Sequence, residues 1–205
     1  MWVNEEARAS QEETIHPSNR MLFRSWETLR GQRSAPARQD LDLKQLRKLL
    51  PGLFIAEHVN QGQDYRWRLA GTGICSLLGR EVTGLSLLEG WDEFEAGVIR
   101  RFLSTVTASH QPALLRMRFT TDRGQHITAE MAIFPLLAAD GASTHVLGGF
   151  FTFPDPQLKH FDTLTARELV SARFAANEAL ASLPGEPLAQ APRKFRVISG
   201  GLDKP

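Results

Sequence analysis

The sequence predicts an α+β fold built on an antiparallel sheet, and three observations carry that prediction. Segments with two-residue alternation occur at 65–69, 113–121 and 125–134. Segments with apolar residues three and four apart occur at 19–29 and 92–109. The two kinds are segregated along the chain instead of repeating as βαβ units, which favours antiparallel pairing. No internal repeat interrupts this order.

Taken from the N-terminus, residues 1–14 read as a polar tail. Residues 19–29 predict a helix with Met21, Leu22, Trp26 and Leu29 on one face, stopped by Gly31. A loop containing Pro36 follows. Asp40 is placed to cap a second, short helix that Pro51 and Gly52 end at residue 50. Residues 53–59 predict a strand centred on Phe54 and Ile55. After a turn at 60–64, Tyr65, Trp67 and Leu69 alternate with Arg66 and Arg68, so the pair reads as a hairpin. Gly71, Gly73, Gly79, Gly84 and Gly90 leave room only for short helices. Residues 92–109 predict a longer helix, capped by Asp92, with a stripe of Phe94, Val98, Ile99, Phe102, Leu103 and Val106.

Three strands are then expected. In 113–121, Leu115, Met117 and Phe119 oppose Arg116 and Arg118. In 125–134, Ile127, Ala129, Met131 and Ile133 share a face. Residues 144–153 are apolar on both faces, with Val146, Gly148 and Phe150 opposite Leu147, Gly149 and Phe151, so something must cover the outer side. Pro154 and Pro156 close the sheet. A last helix is expected over 157–181, followed by a linker with Pro184, Pro187 and Pro192 and a short apolar tail at 195–198.

Composition narrows the function classes. Lys and Arg number 24 against 23 Asp and Glu, a formal net charge of +1, which supplies no electrostatic footprint for nucleic acid. A single cysteine, Cys75, forms no internal disulfide and points to a reducing, cytoplasmic compartment. The N-terminal residues lack the pattern of a secretory signal, and no uncharged apolar run approaches the ~20 residues of a membrane helix, so no membrane insertion is expected.

Motifs that suggest chemistry each have a plainer reading. Gly71-Thr72-Gly73 lacks the remaining glycine of a dinucleotide loop and the lysine of a phosphate loop, and reads as a strand-to-helix turn. His16, His58, His110, His126, His145 and His160 show no metal-ligand spacing, although His126 and His145 could meet across the last two strands. Glu57 and Glu130 sit on strands, where they read as partners of Arg66, Arg68, Arg116 or Arg118 in preference to paired catalytic acids. No Gly-x-Ser-x-Gly surrounds any serine. The expectation is a protein that is not an enzyme, with no catalytic residues and no metal.

Four stretches carry a family resemblance: Arg33 to Asp40, Leu49-Leu50-Pro51-Gly52-Leu53-Phe54, Tyr65 to Thr72, and Leu78-Gly79-Arg80-Glu81-Val82-Thr83-Gly84. They resemble a family of bacterial single-domain PAS proteins. The strand order of two, a helical crossover and three is the PAS arrangement. The resemblance implies a PAS-like five-stranded antiparallel sheet with helical crossover, flanked by N- and C-terminal helices. It divides the chain into a tail and amphipathic helix at 1–39, the PAS-like domain at 40–153, and a helix and Pro-containing tail at 154–205. It implies a sensory or signalling role and brings no catalytic residue. Cys75 lies outside any polar motif of the kind that flavin-binding light sensors use, and the 92–109 helix has no histidine for haem, so no cofactor is expected.

The expected function is a non-catalytic sensory, signalling or protein-interaction module with an apolar ligand pocket between sheet and crossover helices. Its candidate lining is Trp67, Leu69, Ile74, Leu78, Phe102, Val106, Met117, Phe119, Met131, Ile133 and Phe151, with Arg68 and Thr72 as polar handles. The same residues could equally fill a solid core. A homodimer is expected through Met21, Leu22, Trp26 and Leu29, the competing reading being that this helix caps its own sheet. A signalling protein partner is also possible on this reading. The alternative is an enzyme or ligand binder on a cone-shaped α+β fold similar to nuclear-transport-factor-like proteins, which would need a carboxylate and a histidine on one inner face.

Overall fold

A computed structural model describes residues 15–60, 63–138, 142, 144–156 and 163–175. The elements are α1 (Pro17–Arg30), β1 (Leu53–Val59), β2 (Asp64–Ala70), α2 (Thr72–Leu78), α3 (Glu93–Ser109), β3 (Ala113–Thr121), β4 (His126–Leu136), β5 (His145–Thr152) and β6 (Leu164–Phe174). The strands form one sheet in the order β2-β1-β5-β4-β3-β6, every pair antiparallel. The α+β, PAS-like architecture read from the sequence is the one observed. Helices α2 and α3 carry the chain across the inner face from β2 to β3. Asp92 caps α3 as its position suggested, its Oδ1 accepting from the Glu95 N–H at 2.8 Å.

Two elements differ from the sequence reading. Residues 40–50 form turns between two short 3-10 segments, Arg38–Asp40 and Leu50–Gly52, and not a helix. Asp40 is turned backwards: its carboxylate accepts from the Ala37 N–H at 2.9 Å and pairs with Arg33 at 2.7 Å. The backbone just before it is committed to the Leu137 segment, through Arg38 N–H to Leu137 O (2.9 Å) and Leu137 N–H to Pro36 O (3.0 Å). The larger correction is at the C-terminal end. Residues 164–174, expected within a helix, form β6 on the edge of β3, so the sheet has six strands and not five. An unpaired β3 edge would leave a row of backbone donors and acceptors without partners. Pairing fills that row and sets Glu168 against Arg118 at 2.8 Å. The rest of the expected helix, 157–162 and 176–181, lies outside the described residues, as does the tail.

The sheet separates two apolar clusters. The inner one gathers Phe54, Trp67, Met117, Phe119, Met131 and Phe150 under α2 and α3. The outer one gathers Leu53, Ile55, Phe134 and Leu147 under α1. β5 is apolar on both faces because each face meets one cluster. Its two glycines divide the work: a side chain at Gly148 would strike the Phe54 ring on the inner side, and one at Gly149 would strike Asn19 and Leu22 of α1 on the outer side.

α1 therefore caps its own sheet. Leu22, Phe23 and Trp26 are buried, with Trp26 and Phe23 ring centres 5.7 and 6.1 Å from Phe134. The Trp26 indole N–H donates to the Pro135 carbonyl at 2.9 Å. Removing each of these side chains from water contributes about 1.5–3 kcal/mol. Of the residues named for pairing two chains, Leu22 and Trp26 are spent inside the chain, while Met21 stays 49% exposed and Leu29 half-buried. The buried face runs through Asn19 and Phe23 in place of Met21 and Leu29, because the Asn19 amide bonds to Glu130 on the sheet and fixes the helix rotation.

Candidate functional site

The inner face of the sheet holds a small cavity. Its floor is Trp67 of β2, Phe119 of β3, Met131 of β4 and Phe150 of β5. Met131 and Phe150 sit opposite one another in the β4–β5 register. Its roof is Leu78 at the end of α2 and the segment after it, with Val82, Leu85, Leu87 and Trp91. That segment lies there because it completes the edge of β2. Gly84 N–H donates to Trp67 O (2.7 Å), Trp67 N–H to Leu85 O (3.1 Å) and Leu87 N–H to Tyr65 O (2.7 Å). The hydroxyl of Ser86 anchors the same segment to Asp64 at 2.5 Å. The enclosed space is about 30 Å³. That is room for about one or two water molecules, so side chains fill most of the region.

The mouth is polar and charged. Arg80 pairs with the Glu89 carboxylate at 2.8 Å. Arg167, from β6, reaches across: its guanidinium donates to the Glu89 backbone carbonyl at 2.9 Å and lies 5.6 Å from the Trp91 ring centre. Gly90, at φ +81°, leaves the space that this guanidinium occupies. Burial holds the Arg167 pKa below its usual value, the charge of Arg80 adds to the effect, and Glu89 and Glu95 oppose it. Glu95 is itself engaged, accepting from the Leu169 N–H at 2.7 Å and so tying α3 to β6.

Among the residues named from the sequence, Trp67, Leu78, Phe119 and Met131 line this cavity. Ile74, Val106, Met117 and Ile133 belong to the same inner core without lining it, and Phe102 stacks on Phe174 at 4.6 Å. Leu69 and Phe151 lie on the outer face instead. For Leu69 the cause is an irregularity in pairing: Ile55 faces Leu69 while Ala56 faces Trp67, so Arg68 is an extra residue and the alternation inverts after it. Phe151 follows the parity of Leu147 and stacks on the His16 ring at 5.3 Å. Arg68 pairs with Glu57 and Thr72 is exposed, and the charged groups that line the cavity are Arg80, Glu89 and Arg167. Phe150 was available from its alternation with Phe151. Arg167 had no such signal while its segment read as helix.

A second polar cluster lies between α1 and the outer face. Glu130 and Arg116, 1% and 4% exposed, form an ion pair at 2.8 Å. The other Glu130 oxygen accepts from the His16 backbone N–H (2.9 Å) and from Asn19 Nδ2 (3.0 Å). The Arg116 guanidinium sits 4.4 Å from the Phe153 ring centre. His16 Nδ1 accepts from the Ser18 N–H at 3.1 Å and so caps α1. Burial lowers the pKa of His16, opposed by Glu130 and by the Thr152 backbone, with Arg116 lowering it further. This cluster binds helix to sheet. Arg116 and Arg68 answer Glu130 and Glu57, the cross-strand roles the sequence suggested for those carboxylates, and Arg118 answers Glu168 of β6.

The remaining motifs place simply. The β4–β5 register sets His145 against Leu136, ten positions from His126, so those two histidines stand at opposite ends of their strands. Among the described residues no group of three His, Cys, Asp or Glu side chains could hold a metal ion. Cys75 is half-buried on α2, its thiol 3.7 Å from Glu81. No described helix is long and apolar enough to cross a membrane.

Comparison with known proteins identifies the family through its sequence profile. No curated protein sequence matches the chain. Among solved structures, Vibrio cholerae VqmA in complex with ligand and DNA is 15% identical over 55% of this chain and 51% of its own, with a TM-score of 0.42. The chain spans about half the length of that VqmA chain. The PAS domain of Bordetella pertussis BvgS is 19% identical over 56% of this chain and 88% of its own, with a TM-score of 0.40. The Rhodobacter sphaeroides LOV protein is 13% identical, over 57% and 71%, at 0.41. The family profile described as "PAS domain" matches residues 14–151, well over half of the sequence and inclusive of α1. With α1, the crossover helices, β1 to β4 and all but the last residue of β5 inside that match, the chain belongs to the PAS domain family, a family of sensory and signalling modules.

Proposed function

We propose that the chain is a non-catalytic sensory module that takes a small ligand into the inner-face cavity and passes the change to a protein partner. The carrying observation is the asymmetry of the cavity's walls. The floor is four large side chains on four strands of one sheet, while the roof is a glycine-punctuated segment joined to β2 by a handful of backbone bonds. Such a roof moves at lower cost than a packed helix. A ligand entering beneath it would shift the roof and, through Arg167, β6. An apolar lining with a few polar groups at its edge is the usual design of a small-ligand site. The reading keeps the reducing, cytoplasmic setting that the lone Cys75 suggests. It also keeps homodimerisation, now through the α1 surface around Met21 that its own sheet leaves uncovered.

The test is a thermal-shift screen of metabolites on the full chain and on Met131→Trp, whose added volume fills the cavity. A ligand that stabilises wild type and not the variant supports the reading. Ligands that stabilise both equally place binding elsewhere. The indole N–H signals of Trp67 and Trp91, followed by NMR in wild type alone, give the answer if the variant does not fold.

A further inference from the structure

We propose that the cavity is built for a small monocarboxylate, whose carboxylate would be held between Arg80 and Arg167 and whose short apolar tail would lie against Trp67 and Met131. This rests on the small-ligand reading above and adds the chemical class. At the mouth two guanidinium groups face one carboxylate, Glu89. The nearby acids are already engaged, Glu95 with the Leu169 N–H and Glu168 with Arg118. Arg167 makes no ion pair among the described residues: its contacts are the Glu89 backbone carbonyl and the face of Trp91. The Arg167 charge therefore has no carboxylate in direct contact among the described residues, Glu89 and Glu95 acting on it only at longer range, and it sits at a half-buried position where charge is costly. An incoming carboxylate neutralises it, and a guanidinium fork matches a carboxylate's two oxygens.

Size limits the rest of the ligand. The cavity of about 30 Å³ takes a tail of about two or three carbon atoms with small adjustments of its walls. Glu89 then becomes the resting occupant of the anion site. Its carboxylate holds Arg80 until a ligand replaces it, and the displaced Glu89 is part of the roof segment. Binding and movement of the roof are thus coupled through one side chain.

The experiment titrates butyrate, butan-1-ol and butylammonium into the full chain and follows the indole N–H signals of Trp67 and Trp91 by NMR. Butyrate is expected to move both signals with an affinity about tenfold or more above that of the alcohol, as a charge-assisted pair requires. Butylammonium is expected to move neither. Arg80→Gln and Arg167→Gln should each weaken butyrate by about tenfold, Arg167→Lys by less, and Glu89→Gln should tighten it. Each variant's melting temperature without ligand shows whether it is folded. Equal affinity for butyrate and butanol overturns the carboxylate and leaves the small-ligand reading standing. Undiminished butyrate affinity in both arginine variants overturns the assigned site. If no four-carbon compound moves either indole, the monocarboxylate is overturned, and the metabolite screen then decides the broader reading by itself.

Discussion

On the outer face of the sheet charge is buried, and on the inner face it is kept at a rim. Under α1, Glu130 and Arg116 sit almost without solvent, and the carboxylate's bonds go to Arg116, Asn19 and the His16 backbone. Over the inner face, Arg80 and Glu89 remain about half exposed, and Arg167 lies across an incompletely filled space. A buried ion pair fixes one arrangement, because every alternative leaves a charge unsolvated. A rim pair exchanges partners at little cost, because water replaces whatever is lost. The outer face is thus the rigid back of the domain, and on the proposed function the inner face is the part that responds.

The largest effect should come from breaking the outer pair. Glu130→Leu leaves Arg116 buried without its carboxylate and should cost about 3–5 kcal/mol in urea unfolding. The double variant Arg116→Met/Glu130→Leu should recover much of that loss. If the single and double variants are equally unstable, the pair is not what locks this face. Next in size, Gly149→Ala pushes a methyl into Asn19 and Leu22 and should cost about 1–3 kcal/mol, while Gly97→Ala, in open space inside α3, should stabilise by about 0.5–1 kcal/mol.

A smaller effect is expected from acid. Burial holds both His16 and His145 below the ordinary histidine value of 6.5. The unfolded chain therefore takes up protons near pH 6.5 that the folded chain refuses, and stability should fall as pH drops below about 6.5. His16 also loses its Nδ1 acceptor for Ser18 on protonation. Thermal melts at pH 7.5 and 5.5 should show the fall, and His16→Gln should flatten it. A melting temperature that rises toward pH 5.5 would contradict the neutral, buried state of these rings. On the inner side, Arg167→Ala should change stability by only about 0.5 kcal/mol while raising acrylamide quenching of Trp91, since a rim charge contributes little to folding. Least of all should Met21→Glu affect folding. Its readout is sedimentation at micromolar concentration, where a dimeric wild type and a monomeric variant would assign pairing to the exposed side of α1.

Most of the sheet was legible in the sequence. β3 and β4 show clean alternation because each has one face on the inner core, and β5 announced two covered faces by having no polar side. Asp92 and the apolar stripe behind it marked α3. The cavity was legible in part: Trp67, Phe119 and Met131 follow from strand parity. Leu69 was misplaced because one extra residue at Arg68 inverts the parity, and nothing in the local sequence signals it. The roof and rim residues sit in a segment whose glycines identify it as irregular without saying where it lies.

For α1, α3 and β1 to β5 the sequence by itself determined which segments are extended or helical and, Leu69 apart, which sides are apolar, because side-chain period and turn chemistry act over a few residues. It also determined that no dense charge, cysteine cluster or catalytic motif directs the chain elsewhere. Tertiary structure alone decided that residues 164–174 pair as β6 and not as a helix. Their pattern permits both, and only the open edge of β3, some fifty residues earlier in the chain, supplies the backbone partners that favour a strand. The same pairing delivers Arg167 to the cavity mouth. A residue's neighbours along the chain set its local conformation, but the charge it will face is set by contacts that exist only once the sheet has closed.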